Sequence, residues 1–431
     1  MSPPLSARSS DLPDNAYAAA ISALPDMTPM RLLRLLRDRA GGEVYERLLA
    51  GDAGLAELLV GDAVLHLGRE RSVRLAAARE LVRWWSSELA GAPASKIWGE
   101  LRSAGATVVR YGDGSYPSKL GRLEFPPELL YVHGDLHFAE APTVAIVGTR
   151  RATHYGIGVA EELGAELAAR GACIVSGLAL GIDAAAHAGA LARRREDAGP
   201  LAVVGGGLDV VYPERSRSLW ARVRSTGAVT SEAPLGARPL GWRFPLRNRI
   251  IAGLSDVIVV VESSRQGGSM HTAEAGNGIG VPVLAVPGSI RSAQSEGTNW
   301  LISQGGAHLA LDVEDVLAAV ALVAGPLALR LFEPEVRGAR PGVRGARPGV
   351  RGARPGVRGR PGRLRREEAE RLLAARSTTE RAVYELLGDE EIHVDVICES
   401  TSLQLGQVVM ALDRLAEAGL AMSYASGWVR A

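Results

Sequence analysis

Cysteine is scarce in this 431-residue chain: Cys173 and Cys398 stand far apart, each inside an apolar run. A disulfide framework needs more cysteines and a zinc site needs spaced pairs, so two buried, reduced thiols are expected. Aromatic residues make up only 5% and lysine occurs only at Lys96 and Lys119, while hydrophobic residues reach 47%. Such a core suits helices packed closely on a sheet. No stretch approaches the roughly 20 apolar residues of a membrane span. The first residues, MSPPLSARSSDLPD, lack an apolar signal core. The protein is therefore expected to be soluble and cytoplasmic, with no membrane partner. A P-loop, GxxxxGK[ST], is missing, and the first strand-to-helix turn reads GTRRATHYG rather than GxGxxG. Both absences argue against a nucleotide triphosphatase or a dinucleotide enzyme, and no cofactor is expected.

Charge is missing on average and concentrated locally. The net charge is +1, yet residues 336–366 hold eleven arginines and no acid, which leaves the rest of the chain at −10. The same segment repeats VRGARPG three times and then VRGRPG. Gly and Pro in every unit rule out a helix in spite of the seven-residue period. Like-charge repulsion then makes 326–366 an extended linker.

The linker separates units of different pattern. Residues 1–105 repeat apolar residues at helical spacing, as in MRLLRLLRDR, EVYERLLA and SVRLAAARELVRWWSSELA. They are expected to form a helical, SAM-like domain. Over 106–325, β-branched runs at 143–148, 172–177, 201–207, 256–262 and 281–288 alternate with amphipathic stretches such as 159–170 and 183–194. That alternation predicts an α/β domain with a Rossmann-like, doubly wound, mostly parallel sheet. Residues 367–431 read as helix, helix-turn-helix and short hairpin, the outline of a winged helix.

In such a sheet, ligands sit outside the carboxyl ends of the strands. Five glycine-bearing loops are expected there: Gly148-Thr149-Arg150-Arg151, the stretch from Ser176 and Gly177 through Gly181 to Asp183, Gly205-Gly206-Gly207, Arg265-Gln266-Gly267-Gly268-Ser269, and Pro287-Gly288-Ser289. Glycine lets backbone approach an anion, and helix N-termini aim free N–H groups at it. Five such loops with arginines predict a broad phosphate-accepting surface rather than five tight turns. In FPLRNRIIAGLS, Arg247, Asn248 and Arg249 stand at a helix start, and the arginines are read as phosphate or base contacts in preference to ion pairs at the edge of the core. Asp183 and His187, four apart on one helix face, are read as a helix N-cap and a hydrogen-bonded structural histidine. Glu232 and Glu262 close strands, where they could serve a hydrolase or bind neighbouring loop amides. No Ser-His-Asp or paired-carboxylate spacing favours catalysis, and no metal site is expected.

In this order, Tyr116-Pro117, FPPELLYVHGDL, VAIVGTR, SGLALGIDAAAHAGAL, GGGLDVVYP, TSEAPLG, FPLRNRIIAGLSDVIVVVE, GGSMHTAEA, VPG and EGTNWLISQGGA resemble the DNA-processing protein A family (DprA, also called Smf) across residues 116–307. The resemblance implies a non-enzymatic protein of natural transformation that binds and protects incoming single-stranded DNA and helps load the recombinase RecA onto it. It also implies a homodimer formed through the Rossmann-like domain. The family's pocket carries over to Arg150, the SGLALGID loop, Arg247, Arg249 and the 266–269 loop with its following helix. The full set of expected contacts is Gly148, Arg150, Arg151, Ser176, Gly177, Gly181, Arg247, Asn248, Arg249, Gln266, Gly267, Gly268 and Ser269. Two departures lie in that pocket: Gly267-Gly268-Ser269 replaces the frequent Ser-Gly-Ser, and Leu180 replaces a polar or basic residue. Two rival readings stay open. GGSMHTAEA, with Glu274, partly resembles the loop of lysine-decarboxylase-like nucleotide hydrolases, and the winged helix alone could belong to a transcription factor.

Overall fold

The computed structural model describes residues 12–60, 68–196, 198–331 and 377–388, with shorter runs between 392 and 430. The arginine repeat, most of the turn and helix expected over 401–421, and the side chain of Cys398 lie outside the described residues.

Six helices come first: α1 (Asp14–Ser22), α2 (Pro29–Leu36), α3 (Gly41–Leu49), α4 (Gly54–Val60), α5 (Gly68–Gly91) and α6 (Ala94–Ser103). Local chemistry sets their ends. At α2, the Thr28 side chain accepts from the Arg31 N–H and Pro29 occupies the first turn, where its missing N–H costs nothing. Trp85 of α5 is fully buried and donates its indole N–H to the Pro25 carbonyl at 2.8 Å.

The sheet has nine strands: β1 (Thr107–Arg110), β2 (Leu129–Gly134), β3 (Thr143–Val147), β4 (Cys173–Ser176), β5 (Leu201–Val203), β6 (Ala228–Ser231), β7 (Val257–Val260), β8 (Val283–Ala285) and β9 (His308–Leu309). Their order is β1-β2-β6-β5-β4-β3-β7-β8-β9. The pairs β1–β2 and β2–β6 are antiparallel and the rest parallel. The expected α/β, mostly parallel sheet is therefore present. Its antiparallel edge, β6 and the short β9 add to the five strands expected from the sequence, and those five are shorter than their apolar runs.

Helices α7 (His154–Ala169), α8 (Ile182–Arg193), α9 (Arg217–Thr226), α10 (Arg243–Leu254), α11 (Gly268–Gly278), α12 (Glu296–Ser303) and α13 (Val313–Leu331) connect or flank the strands. Helix α13 runs through the expected boundary at 325. Strand side chains alternate between two cores, as a pleated strand covered on both faces requires. Val144 and Ile146 of β3 and Val257 and Val259 of β7 join α7, α8 and α13. Ala145, Val147, Ile258 and Val260 face α10 and α11. A third core merges α1–α5 with Leu129 and Tyr131 of β2 and Val229 of β6, so the N-terminal helices pack on the sheet. Arg110 ties this seam, reaching Asp14 at 2.7 Å and the buried Glu128 at 3.1 Å. After the arginine repeat in sequence come α14 (Thr378–Leu386), α15 (Val394–Thr401) and a hairpin of β10 (Ala421–Ser423) and β11 (Trp428–Arg430).

Helices α7 and α8 approach closely because two glycines allow it. A Cβ at Gly164 would stand 2.3 Å from the Ala186 carbonyl oxygen, and one at Gly189 would stand 2.0 Å from that of Glu161. Both obstacles are backbone, so a side chain must push the helices apart. Gly189→Val is expected to destabilise the protein by about 2 kcal/mol, the usual scale of overpacking, measurable by urea denaturation.

Candidate nucleic-acid interface

Strand order reverses between β3 and β7: β4, β5 and β6 lie on one side of β3, and β7, β8 and β9 on the other. The crevice at such a switch point, outside the carboxyl ends, is the expected ligand site. The loops after β3 and β7 flank it. Gly148 permits them to meet, since a Cβ there would stand 2.7 Å from the Glu262 carbonyl oxygen and 2.6 Å from Ile182.

Arg247 is the central residue. It sits in the first turns of α10, is only 6% exposed, and its Nε and Nη1 lack hydrogen-bond partners. Its guanidinium fills the space a side chain would take at Gly177: a Cβ there would be 1.6 Å from Nη1. Burial pulls its pKa down to about 10, opposed by the nearby Asp183, so it stays charged at neutral pH. Asp183 is itself buried, which pushes its pKa up, while Arg247 and the N–H groups of Ala179 and Gly177 favour its charged form. Arg150 is exposed, its guanidinium 4.7 Å from the centre of the Phe244 ring. Phe244 in turn lies 5.9 Å from Tyr212, and Arg243 covers Trp242 at 4.4 Å. Aromatic faces interleaved with guanidinium groups can stack bases while holding phosphates.

The other expected contacts divide. Arg151, Gln266 and Gly268 are exposed at the edge. Gly267 caps α11, whose first N–H groups, at Gly268 and Ser269, point out of the helix start. Asn248 binds this turn by donating to the Gly268 carbonyl at 2.9 Å. Gly181 has φ +79°, which lets the chain turn into α8. Three side chains do not face a ligand. The Ser176 hydroxyl is buried and donates to the Ile146 carbonyl at 2.7 Å. The Ser269 hydroxyl donates to Ser263 at 2.8 Å. Arg249, read from the sequence as a phosphate contact, pairs with Glu232 at 2.6 Å and donates to the Phe125 carbonyl at 2.8 Å. The end of β6 and α10 bring Glu232 and Arg249 into one half-buried pair, so the arginine's charge is already matched.

Two readings of the α8 residues need correction. Gly181, not Asp183, is the N-cap, because the helix begins at Ile182. His187 is fully buried beside the Ser176 backbone, but neither ring nitrogen has a hydrogen bond of good geometry. Burial drives its pKa down to about 4, so it is neutral.

The carboxylates read as possible acid–base groups are both engaged. Glu262 is buried and accepts from the Thr153 N–H at 2.9 Å and hydroxyl at 2.6 Å, fixing the start of α7. Glu232 holds Arg249. The Cys173 thiol is buried and pushed up to about 12. Among the described residues, no cluster of three His, Cys, Asp or Glu side chains could hold a metal, and no helix is long and apolar enough to cross a membrane. Sequence reasoning assigns no role to Phe244, Tyr212, Trp242 or Arg243. The alternation of aromatic and basic residues in WRFPLRNR was the available signal.

The sequence profile described as "DNA recombination-mediator protein A" matches residues 107–321. Protein Smf of Escherichia coli (strain K12) is 41% identical over 203 residues, 47% of this chain and 53% of that protein. The DNA processing protein DprA of Streptococcus pneumoniae (strain ATCC BAA-255 / R6) is 40% identical over 206 residues, 48% of this chain and 71% of that protein. The matched stretch thus spans about half the length of the Escherichia coli relative. The X-ray structure of DprA from Streptococcus pneumoniae superposes with a TM-score of 0.57 at 32% identity, covering 70% of this chain and 97% of that one.

Proposed function

The chain belongs to the DNA recombination-mediator protein A family, and from that membership and the geometry of its sheet edge we propose that it binds single-stranded DNA without chemical turnover. The buried guanidinium of Arg247, whose Nε and Nη1 lack hydrogen-bond partners, carries this reading. Buried donors without acceptors are costly unless an anion completes them, and Asp183 offsets the charge without bonding these two nitrogens. The strand crosses the carboxyl edge of the sheet, its phosphates held by Arg247, Arg150, Arg151 and the N–H groups at Gly268 and Ser269, with bases against Phe244 and Tyr212. Gly267 turns the chain into that helix start, its own N–H given to the Ser264 carbonyl. Gly148 and Gly181 meet the strand through their backbone, whereas Gly177 gives its N–H to Asp183 and makes room for the Arg247 guanidinium.

The remaining roles follow from the family and are part of the same proposal. The protein is a cytoplasmic mediator of natural transformation that protects the strand and helps load RecA. It self-associates as a dimer, a reading supported by the short edge strand β9, where Leu309 is 43% exposed, and by Leu311 just beyond it, 64% exposed. Domains are drawn at 1–105 (SAM-like helical), 106–325 (Rossmann-like), 326–366 (arginine repeat linker) and 367–431 (winged helix). Linker and winged helix add avidity to the central site.

The test is fluorescence anisotropy of full-length protein with unstructured single-stranded and duplex oligonucleotides at two salt concentrations. Tight, salt-sensitive preference for single strands is expected. Arg150→Ala should weaken binding about tenfold, with little sequence dependence and a salt slope shallower by about one phosphate contact. Equal affinity for duplex and single strand would overturn the reading. Cleavage of a nucleoside 5′-monophosphate would favour the hydrolase instead.

A further inference from the structure

A cavity of about 700 Å3 lies between the N-terminal helices and the loops that follow β5 and β6. That size is within the roughly 300–1,000 Å3 range of small-molecule sites. It lies beside the crevice between β3 and β7, and Arg247, Arg243 and Trp242 are shared between the cavity and the interface described above. The walls from α2, α4 and α5 are mainly apolar, with Leu32, Leu59 and Leu81 among them, and Met27 and Leu240 complete that lobe. Arg31 and Arg74 also line it, but their guanidinium groups are bonded to the Asp26 carbonyl and the Ser400 hydroxyl. The opposite wall is basic. It carries Arg247, with Nε and Nη1 unpartnered, and Arg243, whose buried Nε also lacks a partner. Arg243 lies flat on Trp242, another lining residue. Glu232 reaches the same wall, but Arg249 takes up its charge. An occupant that satisfies both walls has a flat apolar body and an anionic group.

We propose that this cavity takes one nucleoside monophosphate unit, its base against the apolar lobe and Trp242 and its phosphate between Arg243 and Arg247. The unit is either a free nucleotide or an unstacked nucleotide at the end of a bound single strand. The second source rests on the proposed function; the first does not.

Calorimetric titration of full-length protein with deoxyadenosine 5′-monophosphate, inorganic phosphate and a short oligothymidylate tests this. The mononucleotide is expected to bind at least about tenfold more tightly than phosphate, because only it uses the apolar lobe. Ala77→Trp, placing a large side chain into the cavity from an exposed position on α5, should remove mononucleotide binding. Arg243→Gln should weaken it about tenfold. If Ala77→Trp also weakens the oligonucleotide, the strand supplies the unit. If it weakens only the mononucleotide, the ligand is a free nucleotide. Wild-type mononucleotide affinity in both variants, melting as the parent does, would overturn the proposal, as would no mononucleotide binding together with unchanged oligonucleotide binding by Ala77→Trp. Should Ala77→Trp fail to fold, Leu240→Trp at the exposed lip plugs the cavity instead. Failure of the unaltered protein to bind any single strand would sink the proposed function, while the mononucleotide titration would still decide the cavity.

Discussion

Arg247→Ala is expected to weaken single-strand binding about 100-fold, or ~2.7 kcal/mol. Hydrogen bonds involving a charged partner are worth about 1.5–3 kcal/mol each when buried, and a guanidinium fork can offer two to one phosphate. Arg247 is placed to deliver them, since its Nε and Nη1 are buried without partners and its neighbour Asp183 is already served by the N–H groups of Gly177 and Ala179. A second variant separates geometry from charge. Gly177→Ala puts a methyl group where the guanidinium now lies, 1.6 Å from Nη1. The arginine must swing away, so affinity should fall by a similar factor with the net charge unchanged. Arg247→Lys keeps the charge but loses the planar fork, and should recover only part of the loss. Anisotropy titrations of the three variants at two salt concentrations check this. Wild-type affinity in both Arg247→Ala and Gly177→Ala would move the strand off this crevice.

These contacts were only partly legible in the sequence. The parallel core of the sheet was, because strands buried on both faces must be continuous apolar runs, as in VAIV and VIVVV, and the loops after them were rich in glycine and arginine. The antiparallel edge was not. Strand β1 is only Thr107–Arg110, and β2, LLYVHG, pairs with β6 across almost a hundred residues, a partnership no local pattern encodes. Arginine roles were the least legible. Arg247 and Arg249 are two apart on one helix and read alike in one dimension. On α10 they point different ways, one into the glycine gap at Gly177 and the other to Glu232 and Phe125. Which is free for a ligand depends on where the β6 loop carries Glu232. The same holds for Ser176 and Ser269: one closes β4 and the other opens α11, but each hydroxyl is consumed by a neighbour once the chain has folded. The cavity could not be read at all, because it exists only where the N-terminal helices meet the loops after β5 and β6.

His187 leads to the second large effect, on stability rather than binding. Its ring is fully buried, its nitrogens are unpaired, and the Arg247 charge adds to the cost of protonation. The folded pKa is therefore held at about 4, below the ordinary 6.5 of the unfolded chain. Above 6.5 both states are neutral and the histidine leaves stability unchanged. As pH falls below 6.5 the unfolded chain takes up a proton that the folded one refuses, so stability drops until the folded pKa is reached. The depressed value makes this contribution about 3 kcal/mol, lost between roughly pH 6.5 and pH 4. Asp183, one turn away, works in the opposite sense: burial raises its folded pKa above 3.8, so acid favours the folded state there. The measurement must therefore be a difference. Urea denaturation of the parent and of His187→Leu at several pH values isolates the histidine, since Asp183 is common to both. The variant should lose up to about 3 kcal/mol less than the parent across that window. Parallel stability–pH curves would show that the imidazole finds a proton acceptor in solution, and the pairing of α8 with β4 would have to be redrawn.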